Sequence, residues 1–364
     1  VKVLFDHQTF TIQRYGGISR YFANLHNGLN NIAGANAQIA LLYTENEYVK
    51  HLPFLFNNAL GKKLFTGHYN RIYRWNKRYC TRQIKSGSFD VFHPTYYDTY
   101  FLADLKKPFV LTVHDMIHEL YPKQFADNDA VVARKQQLIN AATAIIAISE
   151  HTKKDLIKFY PHAADRIKVI YHGYRLETTE KHKTSNNENY ILFIGERVSY
   201  KNFPLFVEAI APLLNKDKTL KLVCAGGGSF NANEEKLMST LNIAGQCRQT
   251  NATDIELKQL YVQAKAFVFP SLIEGFGIPL LEAFSAGCPV AASNNTCFPE
   301  IGNDAIAYFD PTDKTSILNS VQQILSDDTV RHNYIQKGYE RLKLFTIEKQ
   351  VQQTVNLYRQ VAAK

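Results

Sequence analysis

With 364 residues, 45% of them hydrophobic and 21% charged, the chain is long enough for about two domains with separate cores, and its composition is that of a globular protein. Five cysteines without a CxxC pair leave an odd count, which argues against a disulfide framework or structural zinc and for a reducing cytoplasm. The formal charge of +9 calls for an anionic partner, whether nucleotide, lipid headgroup or nucleic acid.

The opening VKVLFDHQTF enters a strand at Val1 to Phe5 with no charged-then-apolar leader, which suits a cytoplasmic protein. Ile18, Tyr21, Phe22, Leu25 and Leu29 then give the following helix an apolar face at 3.6-residue spacing, with Gly16-Gly17 just before it. From Leu60 to Phe89 there is no acidic residue, while Lys62, Lys63, Arg71, Arg74, Lys77, Arg78, Arg82 and Lys85 alternate with Phe65, Tyr69, Tyr73, Trp75 and Tyr79. Such a block suits the interfacial zone of an anionic membrane, or else a solvated helix face with its aromatics in the core. No apolar run approaches the roughly 20 residues that a bilayer span needs.

Strands follow at Asp90 to Phe92, leading into His93, and at Phe109 to Val113, leading into His114-Asp115. Histidines at the C-terminal ends of such strands stand where open α/β sheets bind ligands, so His114 with Asp115, and more weakly His93, are ligand-site candidates. Asp127 and Asp129, the one DxD, sit before a helix and read as caps rather than metal ligands. Strands at Ala144 to Ile148 and Ile167 to Tyr171 complete the first half, and the polar stretch Glu177 to Asn189 reads as a linker.

A second alternation runs through Tyr190 to Ile194, Leu220 to Ala225, Ala266 to Phe269, Pro289 to Ala292 and Ala305 to Phe309, with helices from Thr312 onward. Two α/β halves, each Rossmann-like with a parallel sheet, are the expected architecture. Neither DHQTFTIQRYGG after the first strand nor AGGGSFN at Ala225 to Asn231 has the GxGxxG spacing that lets a backbone approach pyrophosphate, which disfavours a nicotinamide enzyme.

Two places carry chemistry. Arg197 and Lys201, four apart after the strand Tyr190 to Ile194, are fixed cations able to reach the same phosphates and, as catalytic candidates, to neutralise charge that grows there, so no metal or other cofactor is expected. In FVFPSLIEGFGIPLLEAFSAGCP, Phe267 to Pro289, Glu274 and Glu282 flank a Gly275-Phe276-Gly277 turn that opens a helix, with Pro279 in its first turn and Glu282 read there too. Amides of that turn favour an anion at the helix N-terminus.

Taken with IGERVSYKN at Ile194 to Asn202, CAGGG at Cys224 to Gly228, AGCPVAAS at Ala286 to Ser293, AISEHTKKDL at Ala147 to Leu156, Gly16-Gly17, His114-Asp115 and Pro299-Glu300, this segment resembles retaining glycosyltransferases of family 4. The resemblance covers nearly the whole chain. It implies the GT-B fold, two Rossmann-like domains facing each other across a cleft, with an acceptor-side domain at 1–175, a donor domain at 176–345 and a last helix, about 346–364, returning to the first domain. It implies that Glu274 contacts donor-sugar hydroxyls, that Glu282 holds the ribose, and that the amides of Gly275, Phe276 and Gly277 support sugar and phosphate. From the other domain, Gly16 and Gly17 would let amides approach the diphosphate, His114 would act as a catalytic residue that reaches donor sugar or acceptor, Asp115 would orient that histidine or bind acceptor, and His93 is a weaker acceptor-side candidate. FDHQTFTIQRYGGISRYF looks like a subgroup containing mannosyltransferases of bacterial surface polysaccharides. The resemblance therefore implies a nucleotide-sugar donor, GDP-mannose first and a UDP-sugar second, and a glycan or lipid-linked acceptor. The enzyme would be cytoplasmic or peripheral on the inner membrane face, with no nucleic-acid partner. Epimerisation or hydrolysis of a sugar nucleotide on the same fold is the alternative, followed by a basic anion-binding or nucleic-acid-binding protein. The chain departs from the family at Tyr171-His172-Gly173, where Asn-Gly is common, leaving His172 to touch ligand or lie exposed. It departs again at Glu196, which is placed to pair with Arg197.

Overall fold

The computed structural model describes residues 1–125, 130–175 and 188–363. Asp127, Asp129 and residues 177–187 of the linker lie outside the described residues. The chain divides into two compact units, Val1–Gly173 with Ile347–Lys364, and Tyr174–Thr346.

The first unit carries β1 (Lys2–Phe5), β2 (Asn36–Ile39), β3 (Val91–His93), β4 (Val110–Val113), β5 (Ala144–Ala147) and β6 (Ile167–Val169). All pairings are parallel, in the orders β2-β1-β3 and β4-β5-β6, and a bridge between Phe92 and Phe109 joins the two runs. β4 and β5 are buried throughout, as strands covered by helices on both faces must be. The helix Gly17–Asn30 buries Tyr21, Phe22, Leu25 and Leu29 in one core with Phe5, Val91 and the helix Ile347–Ala362, which contributes Val351, Val355 and Tyr358.

The second unit carries β7 (Tyr190–Ile194), β8 (Lys221–Ala225), β9 (Cys247–Thr250), β10 (Ala266–Phe269), β11 (Val290–Ser293) and β12 (Ile306–Phe309), all parallel in the order β12-β11-β10-β7-β8-β9. Its core packs Phe193, Phe203, Phe206, Ile210 and Val268 with Val321 and Ile324 of the helix Lys314–Ser326.

In both sheets the chain order reverses at the first strand: β1 lies between β2 and β3, and β7 between β8 and β10. Loops leaving neighbouring strands on either side of such a point diverge and open a recess at the carboxyl ends, where α/β sheets bind ligands.

The segment Leu60 to Phe89 forms the helices Ala59–Phe65 and Tyr69–Ser86, the second burying Ile72, Asn76, Cys80 and Ile84. Its charges are not all unmatched, since Lys77 pairs with Asp98 at 3.4 Å and Lys85 with Asp104 at 3.3 Å. Among the described residues no helix is long and apolar enough to cross a membrane.

Candidate functional site

In the second unit the loops after β7 and β10 are tied together. The Leu272 amide donates to the Tyr200 carbonyl at 2.7 Å, and Lys201 Nζ donates to Glu274 Oε1 at 2.5 Å. Lys201 stands in a short turn, Ser199–Lys201, which Asn202, at φ 58°, joins to the helix Phe203–Lys216. Both side chains of the pair are largely buried, 16% and 14% exposed. Burial works to lower the Lys201 pKa, but the Glu274 carboxylate outweighs it and holds the ammonium above its ordinary value.

Glu274 leads into Gly277, whose φ of 86° places the helix Ile278–Ala286 with Pro279 in its first turn. A Cβ at Gly277 would stand 3.1 Å from the Phe298 ring, so the glycine serves both its φ and its packing. Phe276 turns its side chain into the core against Phe345. The helix N-terminus and an ammonium paired with a carboxylate thus belong to one pair of loops, a setting fit for an anion joined to a polyhydroxyl group.

Glu282 stands in the second turn of that helix, not the first as read from the sequence, and its Oε2 accepts the Tyr261 hydroxyl at 3.1 Å. Tyr261, which also donates to the Pro279 carbonyl, had no motif to mark it. Ser271 Oγ and Asn295 Oδ1, in the loops after β10 and β11, are buried without a hydrogen-bond partner among the described residues. Each is a polar atom available to a ligand.

The expectation that Arg197 and Lys201 converge on one group does not hold here. Arg197 Nε donates to Glu234 Oε1 at 2.8 Å, and its Nη atoms donate to the carbonyls of Gly226 (3.0 Å), Gly228 (2.9 Å) and Ser229 (2.9 Å). Gly226, Gly227 and Gly228 all have positive φ, which turns their carbonyls toward a single donor fork. Arg197 therefore holds the loop after β8, and its carboxylate partner is Glu234 rather than Glu196. The signal for this was in the sequence, since Asn231 and Glu234 form a capping box on the helix Ala232–Thr240.

In the first unit Gly16 precedes the helix Gly17–Asn30 in extended conformation, and a Cβ there would lie 2.4 Å from Gln13 Oε1, which accepts the Ser19 amide. His114 follows β4, buried, with its amide donating to the Tyr97 hydroxyl and its Nε2 without a partner among the described residues. Burial, seconded by the Lys135 charge, drives its pKa down to about 3, so the ring is neutral near pH 7 and offers hydrogen bonds, not charge.

Asp115 does not orient His114. Its Oδ1 accepts the Ile117 amide at 3.1 Å, and its carbonyl accepts Lys135 Nζ at 3.1 Å. Lys135 is wholly buried and paired with Glu119 at 2.9 Å, an ion pair that fixes the His114–Asp115 turn from below. His93 does not face the acceptor side. It is 0% exposed, with Nδ1 bonded to the Tyr358 hydroxyl at 2.5 Å and Nε2 to Thr112 Oγ1 at 2.9 Å, so both ring nitrogens are engaged in the core. His172 is likewise buried, stacked on His114 with centroids 5.9 Å apart, rather than exposed. Among the described residues no group of three or more His, Cys, Asp or Glu side chains is arranged to hold a metal ion.

Residues 15–178 match the family model described as Glycosyltransferase Family 4, and residues 175–341 match that of Glycosyl transferases group 1. The chain is 28% identical over 268 residues to O-antigen chain mannosyltransferase B of Escherichia coli, covering 69% of this chain and 70% of that protein. It is 26% identical over 233 residues to the O-antigen chain mannosyltransferase RfbU of Salmonella typhimurium, covering 63% and 65%. Sucrose-phosphate synthase from Thermosynechococcus elongatus shares the fold with a TM-score of 0.77 at 19% identity, covering 100% of this chain and 99% of that one. With both halves matched in order and a GT-B neighbour along the full length, the chain belongs to the family 4, or group 1, glycosyltransferases of the GT-B fold.

Proposed function

We propose that this glycosyltransferase moves a mannosyl residue from a nucleotide sugar, GDP-mannose, to a growing or lipid-linked bacterial surface glycan, with retention at the anomeric carbon and without a metal. The observation that carries the donor reading is the Lys201–Glu274 pair across the loops after β7 and β10. Lys201 is the fixed cation for the β-phosphate of the leaving diphosphate, and the N-terminus of the helix Ile278–Ala286 supports the same charge. Glu274 meets the sugar hydroxyls, and Glu282, steadied by Tyr261, meets the ribose. With a retained configuration no strong base is needed opposite the leaving group, and a phosphate oxygen of the leaving diphosphate takes the acceptor proton. The neutral His114 contributes hydrogen bonds to sugar or acceptor. Mannose as the sugar is supported by the two O-antigen mannosyltransferases that the chain resembles.

The experiment is a calorimetric titration with GDP, UDP, GDP-mannose and UDP-glucose, followed by turnover with and without EDTA. GDP and GDP-mannose are expected to bind, and chelation is expected to leave turnover within about twofold, because a fixed cation replaces the Lewis acid. Preference for UDP-sugars overturns the base, and loss of turnover that is restored by magnesium or manganese overturns metal independence.

The same reading places the enzyme at the cytoplasmic membrane face. Arg71, Trp75, Arg78 and Arg82 form one exposed stripe of the helix Tyr69–Ser86, and Leu60, Lys62, Lys63 and Leu64 are exposed on the helix before it. Basic residues near an anionic surface contribute on the order of 1 kcal/mol each. Co-sedimentation with phosphatidylglycerol vesicles is expected to weaken with salt and with Arg71, Arg78 and Arg82 changed to glutamine. Equal binding to neutral phosphatidylcholine vesicles overturns it.

A further inference from the structure

A buried ion pair underlies the His114–Asp115 turn. Lys135, on the helix Val131–Ala141, is 0% exposed, and Glu119, on the short helix Ile117–Leu120, is 2% exposed, with Nζ and Oε2 2.9 Å apart. Stability alone does not explain such a pair. Taking two charges out of water costs more than their attraction returns unless the remaining polar atoms are satisfied, and an apolar pair of similar volume often holds a core as well or better. Here the second carboxylate oxygen, Glu119 Oε1, is buried without a hydrogen-bond partner among the described residues.

What the cation supplies, and an apolar side chain would not, is a hold on both sides of His114. Lys135 Nζ donates to the Asp115 carbonyl at 3.1 Å, one residue beyond the histidine. The same ammonium stands 5.1 Å from the centre of the Tyr97 ring, within cation–π range, and the Tyr97 hydroxyl accepts the His114 amide at 3.2 Å. Backbone groups on either side of the histidine Cα are thus tied to one buried charge, which fixes the direction of its Cα–Cβ bond. The ring so aimed ends in Nε2, which has no partner among the described residues. Around it, His172 stacks at 5.9 Å, Tyr21 meets it edge-on at 5.4 Å, and His93 lies near enough to feel its charge. Burial keeps those two histidines neutral near pH 7, pushes the Tyr21 hydroxyl up to about 12 and holds that of Tyr97 well above its ordinary value. The Asp115 carboxylate is engaged by the Ile117 amide and that of Glu119 by Lys135. Lys135 is the cation whose charge reaches the His114 ring, and it opposes protonation there.

We propose that Lys135 is a positioning residue of the transferase: through the Asp115 carbonyl and the Tyr97 ring it sets where the His114 imidazole stands, and Glu119 is the counter-charge that lets a lysine be buried there. The proposal rests on the reading above in which His114 meets sugar or acceptor. Lys135 itself touches no substrate. Its effect is carried by geometry, since a displacement of about an ångström at a reacting group costs up to about a hundredfold in rate.

The test uses the full chain with ring-15N histidine, the His114 signals being those absent from His114→Gln, and release of GDP from GDP-mannose as the rate. The variant is Lys135→Met together with Glu119→Leu, an apolar pair expected to keep the fold where either change alone would strand a buried charge. Its His114 ring signals are expected to move from their parental shifts, and protonation of that ring to begin at higher pH, because the opposing cation is gone. The kcat is expected to fall about tenfold with the KM for GDP-mannose within about twofold, as misplacement at the reaction centre without loss of donor binding requires. Tyr97→Phe keeps the ring over Lys135 and removes only the hydroxyl that holds the His114 amide. It is expected to move the same signals and to lower kcat about threefold, and it decides the matter where the paired variant does not fold. Parental His114 signals and parental kcat in a folded variant, whatever its melting temperature, assign the pair to stability and overturn the proposal. Parental turnover in His114→Gln overturns the role of His114 itself and takes the proposal with it. A parent protein that releases no GDP from GDP-mannose counts instead against the donor reading, while the ring signals still report whether Lys135 places His114.

Discussion

Arg197 and Lys201 are four residues apart, carry the same charge, and do different things. Arg197 is 4% exposed and its partner Glu234 8%, and the same guanidinium gathers four carbonyls of the loop after β8. Removing it leaves a buried carboxylate without its cation, a loss of about 3 kcal/mol for a pair this enclosed. Lys201 is paired with Glu274 across the loops after β7 and β10, and in the proposed mechanism its loss removes an interaction made with the leaving group. Arg197→Met is therefore expected to lower the urea midpoint of the second unit strongly, whereas Lys201→Met keeps most of the stability and loses about a hundredfold in turnover. Urea melts and donor assays on the two variants separate these roles. A stable Arg197→Met protein, or a Lys201→Met protein with near-parental turnover, would show that the roles are assigned the wrong way round.

At the level of elements, what the sequence made legible was what burial dictates on both faces. β4, β5, β7, β8 and β10 are apolar runs and were found within one or two residues. β2 (NAQI) and β9 (CRQT) were not, because each lies at the edge of its sheet, where half the positions meet water and the apolar signal is gone. The helix Gly17–Asn30 was plain from its stripe, but Gly28 within it gave no hint of its purpose: a Cβ there would stand 2.4 Å from Val351 Cγ2, so its absence lets the helix Ile347–Ala362 close in. The candidate site was legible where a local motif carries it, as in the Glu274 turn and the Lys201 position. It was opaque where long-range pairing decides. The pairing of Arg197 with Glu234, the burial of His93 beneath Tyr358, and the support of the His114–Asp115 turn by Lys135 each join residues 20 to 265 apart in the chain. Strand-end position marked His93 and His114 alike, and only packing around the two rings tells a core histidine from one with a nitrogen to offer.

On the scale of the whole molecule the two units differ in how they meet acid. Burial drives His7, His93 and His114 down to about 3 each and His172 well below its ordinary value, and all four lie in the unit Val1–Gly173. The folded unit refuses protons that the unfolded chain binds below about pH 6.5, so the unfolded state holds more protons and stability falls with pH from there toward about pH 3. Each such histidine contributes a slope of about 1.4 kcal/mol per pH unit once the unfolded form is protonated. Asp6, whose pKa burial raises despite its hydrogen bonds, works in the opposite direction by at most one proton. The net loss in this unit is of order 3 kcal/mol between pH 6 and pH 5, a large share of any domain's stability. The chain has one tryptophan, Trp75, in the same unit, so its fluorescence follows that unit while far-ultraviolet circular dichroism follows both. At pH 5 the fluorescence transition in urea is expected well below the later part of the dichroism transition, with the gap narrowing toward pH 7.5. His93→Gln, which keeps polar atoms beside Tyr358 and Thr112, should flatten the pH dependence of the fluorescence midpoint by about one proton. A fluorescence midpoint that does not move between pH 7.5 and pH 5 would mean that these histidines take up protons in the folded protein, and the neutral His114 of the proposed mechanism would have to be given up with them.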